Sequence, residues 1–379
     1  MKREEAIELV IGLLSAGRRG DIAALSAFYA DDAVIVSPLF GEVRGVQAIG
    51  STWRTLFTSA PNSTAEISHV LVDGDRVAVL SAISTSDRGW FGLPSTGGPI
   101  GYKLVLLFTI ANGRVVRDER IYDSVGVMER LEKARIDKEL RTAAEVQRTL
   151  LSQTTHTGRA SVTVGDSVPC RAIGGDFFDF IDLPSGDVGI VMGDVAGKGP
   201  AAALLAAMIQ GMFAMDAPSS HGPAATLARL NGHLVARRLE SRFATIFYGV
   251  LSPDGRLVYS NAGHNPAALF SNGGLARLTA GGPIVGAFGD ATFEERTVQL
   301  GDGDTLVLFT DGVTEARNRS DEEFGEERLL DCLSPHRDAA PDDLLRRVFA
   351  AVREFCGGAD PTDDITVTIT RVGAIGRRA

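Results

Sequence analysis

Cysteine is scarce in this chain. Cys170, Cys332 and Cys356 are too few and too scattered for a disulfide framework or a zinc site, which fits a reducing, cytoplasmic setting. Basic residues are outnumbered, 38 Lys and Arg against 48 Asp and Glu. The resulting net charge of −10 argues against nucleic acid as a partner, because phosphate backbones select basic surfaces. The N-terminus, MKREEAIELV, is charged from its start and has no apolar signal-peptide core. One uncharged run, residues 199–215, falls short of the roughly 20 residues that span a bilayer and contains Gln210. It reads as a helix buried against a sheet, with no membrane association expected. A nucleophilic triad and a dinucleotide fingerprint are also missing. The stretch from Gly193 to Gly199 is not a P-loop: three residues separate Gly193 from Gly197 where a P-loop has four, and Gly199 replaces the magnesium-holding Ser or Thr.

A chain of 379 residues is expected to form two domains with a linker, here residues 1–124, 125–155 and 156–372, followed by a short flexible tail, 373–379. Charge is uneven: −2 over residues 1–124 (12 basic, 14 acidic), +1 over 125–155 (6 and 5) and −9 beyond (20 and 29). The first segment opens with helical patterns (Ile7, Val10, Ile11, Leu14; then Ile22 to Tyr29; then Val46 to Leu56). Strand signals follow at 65–72, 76–84, 101–110 and 114–122, the last pair joined by the hairpin dipeptide Asn112-Gly113. Helices first and an antiparallel meander after predict an α+β domain whose curved sheet closes over a helix. On Phe28-Tyr29-Ala30-Asp31-Asp32-Ala33, Ser37-Pro38 to Gly45, and Gly113-Arg114-Val115, the segment resembles the cone-shaped family of nuclear transport factor 2, ketosteroid isomerase and SnoaL-like polyketide cyclases. Isomerases of that family carry a carboxylate base just before the proline. Ser37 stands there, and a hydroxyl without a partner base cannot take that role. The domain is therefore expected to bind a small ligand or to dimerise. Trp53, Trp90, Tyr102 and Phe108 are either pocket-lining or ordinary core aromatics.

Between Val125 and Ser152 there is no proline, and no glycine after Gly126. Met128, Ile136, Leu140, Ala143, Val146 and Leu150 form a narrow apolar stripe among charges, suited to a parallel helical junction between two protomers. A connecting helix lying on its own domain is the other reading.

Beyond the linker, many strands alternate with a few long helices, which predicts stacked sheets with helices outside. Four acidic marks punctuate this region: Gly174-Gly175-Asp176, Gly193-Asp194-Val195, Thr310-Asp311-Gly312 and Asp363-Asp364-Ile365. Asp176 and Asp194 stand at the open end of an expected hairpin, 177–183 with 188–192, so antiparallel pairing brings them together. The glycines at 193, 197 and 199 let the backbone bend and present a carbonyl, that of Val195, to a cation. Carboxylates on strand ends suit hard divalent ions and metal-activated hydrolysis. Together with Asn261-Ala262-Gly263-His264-Asn265-Pro266, the four motifs and their order resemble the bacterial stage II sporulation E-type phosphatases, within the PPM (PP2C-like) serine/threonine phosphatases.

That resemblance implies an α-β-β-α sandwich with two manganese or magnesium ions between its sheets. Asp194 would bridge the ions, and Asp176, Asp311 and Asp364 would complete their shells. It also implies hydrolysis of phosphoserine or phosphothreonine with no phosphoenzyme intermediate. The implied substrate is a phosphorylated anti-sigma-factor antagonist of the STAS fold, and the N-terminal domain would control the enzyme. Arg171 is either a phosphate-binding arginine or a solvent-facing one; Lys198 either steers phosphate or caps carbonyls. Asp179 and Asp363 are candidate second-sphere acids or third-metal ligands, or simply solvated. His264 reads as structural, with general acid as the alternative. A catalytically inactive partner-switching scaffold is the competing function, weakened by the presence of all four aspartates.

Overall fold

The computed structural model describes residues 2–373 apart from 61–62, 89–94, 96, 151–153, 220, 238–241 and 360. Two units emerge, Met1–Glu139 and Leu140–Ala379.

In the first unit, strands Thr64–Asp73, Arg76–Ser86, Pro99–Ala111 and Arg114–Ile121 form an antiparallel meander. Arg114–Ile121 then pairs in parallel with Tyr29–Ser37, whose other edge takes the short strand Gly41–Arg44. The sheet is thus mixed at one edge, not wholly antiparallel as the meander alone suggests. Asn112 (φ 53°) and Gly113 (φ 74°) both adopt the left-handed conformation that a two-residue hairpin turn demands. Alternation along Pro99–Ala111 turns Leu104, Leu106, Phe108 and Ile110 inward, against Val10 and Leu13 of helix Arg3–Arg18 and Ile49 of helix Val46–Ser59. The helix expected over residues 22–29 stops at Ser26, because Tyr29 is already strand and sends its hydroxyl into the sheet. Phe108 is core, whereas Trp53 and Tyr102 line a cavity; Trp90 lies outside the described residues.

Helix Ser124–Leu150 follows. Its apolar stripe divides. Met128 packs with Val127 and Leu131 on Ala60 and Ile100, and Leu140 packs with Ala144 on Ile173 and Ala203. Ile136, Ala143 and Val146 remain exposed. The linker expected to reach residue 155 ends earlier, since Thr155–Thr157 is an edge strand bonded to Ser161–Val168.

The second unit stacks two six-stranded sheets. One contains Phe177–Asp182, Val188–Val195, Ala244–Leu251 and Arg256–Ala262 in that spatial order; the other contains Ala267–Ser271, Thr305–Phe309, Ile365–Val372 and Ser161–Val168. Phe178, Met192 and Phe247 meet Leu269, Leu306 and Leu308 between the sheets. Helices Pro200–Asp216 and Pro223–Ala236 cover one outer face, and Gly325–Leu333 and Pro341–Cys356 cover the other. The apolar run is the first of these helices. Ala202, Leu205, Ile209 and Phe213 are buried against the sheet, and burying such Leu, Ile and Phe side chains contributes about 1.5–3 kcal/mol each.

Candidate functional site

Hairpin register places the first two carboxylates. Gly193 pairs with Phe177, so Asp194 and Asp176 fall side by side at the open end. The second sheet brings the other pair, since Phe309 lies opposite Val367 and the chain next to each strand end carries Asp311 and Asp364. Gly312 makes this junction possible. A Cβ there would stand 2.0 Å from the Asp364 carbonyl oxygen, a distance no side chain tolerates. Gly312→Ala is therefore expected to part the two strand ends. A loss of cation-dependent stabilisation in thermal unfolding, with the far-ultraviolet spectrum preserved, would register it.

Asp176 is buried and accepts hydrogen bonds from the Thr310 hydroxyl (2.8 Å) and the Thr366 hydroxyl (2.7 Å). Asp364, also buried, accepts from the backbone amides of Cys170 (2.8 Å) and Gly175 (2.7 Å). The Val195 carbonyl lies against Gly175, 2.9 Å from where a Cβ would sit. Burial and then the charges of Asp311, Asp363 and Asp364 push the Asp194 carboxyl up to about 7. Burial and Asp194 raise Asp176 well above the ordinary carboxylate range, and burial with Asp363 raises Asp311. Among the described residues, the ion pair made by this cluster is Asp363 with Lys198, at 2.8 Å. Negative charge is thus concentrated beyond what the nearby cations neutralise, and the donors are almost all oxygen. That is the chemistry of a site for hard divalent ions.

The fold brings Asp176, Asp194, Asp311, Asp363 and Asp364 together, with Cys170 Sγ and oxygens of Asp363 and Asp364 within 4.8 Å of one another. Lys198 also donates to the Thr362 carbonyl at 2.5 Å, so it caps a carbonyl as well as holding an acid. Arg171 lies over Gly199, its Nη1 3.7 Å from a Cβ position there. Asp179 does not join the cluster as a second-sphere acid. It accepts from the Phe180 amide and the Gln210 side chain, on the helix-covered face. His264 is buried with Nδ1 2.9 Å from the Thr245 hydroxyl, and burial pushes its pKa down to about 4. A ring so held is neutral at pH 7 and supports the structural reading. Sequence reasoning assigned nothing to Thr310, Thr366, Arg242 beside Gly197, or Gln147, whose amide bonds both the carbonyl (2.7 Å) and amide (3.3 Å) of Gly174.

Residues 184–373 match the family described as Stage II sporulation protein E (SpoIIE), and residues 10–118 match the SnoaL-like domain. The phosphoserine phosphatase RsbU of Bacillus subtilis (strain 168) is 34% identical over 243 residues, 62% of this chain and 70% of that protein. Protein IcfG of Synechocystis sp. is 28% identical over 228 residues; the match takes in 52% of this chain but spans only 36% of that protein. The solved PP2C domain of SiaA from Pseudomonas aeruginosa superposes with a TM-score of 0.53 at 23% identity, over 63% of this chain and 98% of that domain, which shows a shared fold.

Proposed function

Because the chain belongs to the SpoIIE family, we propose that it is a metal-dependent protein serine/threonine phosphatase acting on a phosphorylated anti-sigma-factor antagonist of the STAS fold. The observation that carries this reading is the convergence of Asp176, Asp194, Asp311 and Asp364 from the strand ends of two sheets into one under-neutralised cluster. These carboxylates and the Val195 carbonyl would hold two Mn²⁺ or Mg²⁺ ions. When bound, such ions polarise phosphoryl oxygens and make water a competent nucleophile at neutral pH.

The chain's own groups orient this donor set. Thr310 and Thr366 fix the Asp176 rotamer, and two backbone amides fix Asp364. Lys198, Arg171 and Arg242 flank the bend after Asp194 and are placed to attract a phosphate dianion. In the reaction the bond from phosphorus to the seryl oxygen breaks, water provides the new oxygen, and a free hydroxyl and inorganic phosphate result. Neutral, buried His264 takes no proton-transfer role in this scheme.

Release of phosphate from a phosphoserine-bearing STAS protein by the full chain tests the proposal. Turnover with Mn²⁺ or Mg²⁺, abolished by a chelator and restored by excess cation, is expected. No release with either cation would leave the scaffold reading in its place.

Regulation enters, in this reading, through helix Ser124–Leu150, whose Gln147 holds the backbone two residues before Asp176. The exposed side chains of Ile136, Ala143 and Val146 form the seam of a homodimer. Ile136→Glu with Val146→Glu is expected to halve the mass seen by sedimentation; an unchanged mass would rule this seam out.

A further inference from the structure

A groove of about 160 Å³ opens on the helix-covered face of the second sheet, directly behind the acidic cluster. Its lining includes Gly312, Thr362 and Ile365, the chain neighbours of Asp311, Asp363 and Asp364. Asp364 and Ile365 are consecutive at a strand end and so point to opposite faces, Asp364 to the cluster and Ile365 to the helix layer. At Gly312 a Cβ would stand 3.3 Å from Asp363 Cβ, so cluster and groove share this stretch of backbone. Val168, Ala316, Phe349 and Val352 continue the apolar wall, and exposed Ala359 stands at its edge. Three polar side chains complete the lining. Thr362 is exposed, and its carbonyl is held by Lys198. Arg317 is already neutralised, by Asp321 at 3.0 Å and by Glu323. Arg353 is exposed and makes no hydrogen bond or ion pair among the described residues.

Each part of this arrangement constrains an occupant. An apolar cavity of about 150 Å³ accepts a benzene ring, so one apolar side chain fills this groove and a whole helix face does not. A polar side chain would lose its hydration against the wall without gaining a partner there. At the mouth, the complement of Arg353 is a carboxylate. Carboxylate cluster and groove lie on opposite faces of one sheet end, a separation on the order of 10 Å, which an extended chain covers in about three residues. A phosphoprotein seated at the cluster therefore carries its neighbouring residues over the groove. We propose that the groove receives a leucine-sized apolar side chain of that phosphoprotein, about three residues from its phosphoserine, with an adjacent carboxylate meeting Arg353. The inference rests on the phosphatase reading of the cluster and adds a basis for choosing among phosphoproteins. Because Thr362 lines the groove, an occupant also touches the loop that carries Asp363 and Asp364.

Alanine-based peptides bearing the phosphonate analogue of phosphoserine, which cannot be hydrolysed, test the groove by binding alone. Fluorescence anisotropy with the full chain and Mn²⁺ compares Leu-Glu, Ala-Glu and Leu-Lys pairs placed about two to four residues before or after the phosphonate. In at least one placement Leu-Glu is expected to bind about tenfold more tightly than Ala-Glu and about threefold more tightly than Leu-Lys. Ala359→Trp, which fills the groove from an exposed position, erases the leucine preference. Arg353→Glu reverses the preference for glutamate over lysine, and circular dichroism confirms that both variants fold. Turnover of p-nitrophenyl phosphate, too small to reach the groove, reports the phosphatase reading separately. Hydrolysis without any leucine preference overturns the groove and leaves the enzyme standing. A leucine preference that Ala359→Trp erases, without hydrolysis, supports the groove as a docking site and overturns the enzyme. Equal affinities in every placement, a preference untouched by Ala359→Trp, or self-association of the chain that Ala359→Trp abolishes would each overturn the proposal.

Discussion

Asp194→Asn is expected to lower phosphate release about a thousandfold while making the cation-free protein more stable, not less. The loss follows from the central place of this carboxylate, which interacts with Asp176, Asp311, Asp363 and Asp364 at once. A divalent-metal clamp is worth several kcal/mol of transition-state stabilisation, and each 1.4 kcal/mol is about tenfold in rate. The gain in stability has a separate cause. Folding raises the Asp194 pKa from 3.8 to about 7, so the folded state holds this proton more tightly than the unfolded state does. Stability is therefore lost as pH rises from 4 to 7, and the loss is complete above 7. Asparagine removes it. At pH 8 with chelator the variant should unfold about 10 °C higher than the wild type, and at pH 4 the two should nearly coincide. Saturating Mn²⁺ should reverse the order, because only the wild type keeps the full donor set. Equal phosphate release from both proteins would end the enzyme reading. A variant less stable at pH 8 without cations would show that the cluster is not strained by charge.

How much of this was legible beforehand depends on the range of the interaction. The pairing of Asp176 with Asp194 needed only a hairpin and its turn, both of which leave local signals. The approach of Asp311 to Asp364 needed the register of two strands more than fifty residues apart, and only motif order hinted at it. Asp179, left open between a near-site acid and a solvated one, is instructive. Phe177, Asp179 and Ile181 share one face of their strand, and Phe177 and Ile181 pack under the helix layer. Period-two alternation alone therefore assigns Asp179 to that face. Thr310 stands inside one acidic motif and Thr366 directly follows another, but threonine is so ordinary in strands that its hydroxyl gives no sign of holding Asp176. Gln147 was hidden for a related reason. Polar residues in charged segments read as solvated faces until the fold supplies their partners. The short strands Gly274–Leu278 and Arg296–Gln299 escaped notice because a few residues at a sheet edge carry too little pattern.

Cation affinity should fall about tenfold for each pH unit below 7 and level off above about 8. Asp194 titrates near 7, and Asp176 and Asp311 are raised as well, so at acid pH each ion must displace protons from its own ligands. The two threonines make the effect adjustable. Their hydroxyls donate to Asp176 and oppose the rise that burial and Asp194 impose. Removing them in Thr310→Val with Thr366→Val should let Asp176 keep its proton to higher pH and move the whole affinity curve upward by about one unit. Serine at both positions restores the hydroxyls and should restore the curve, which separates hydrogen bonding from packing. Titration of Mn²⁺ in two buffers of different ionisation enthalpy counts the protons released: about one or more per site at pH 6.5, and close to none at pH 9. An affinity constant from pH 6 to pH 8 would mean that these carboxylates are already ionised without metal, and the under-neutralised cluster on which the functional reading stands would not exist.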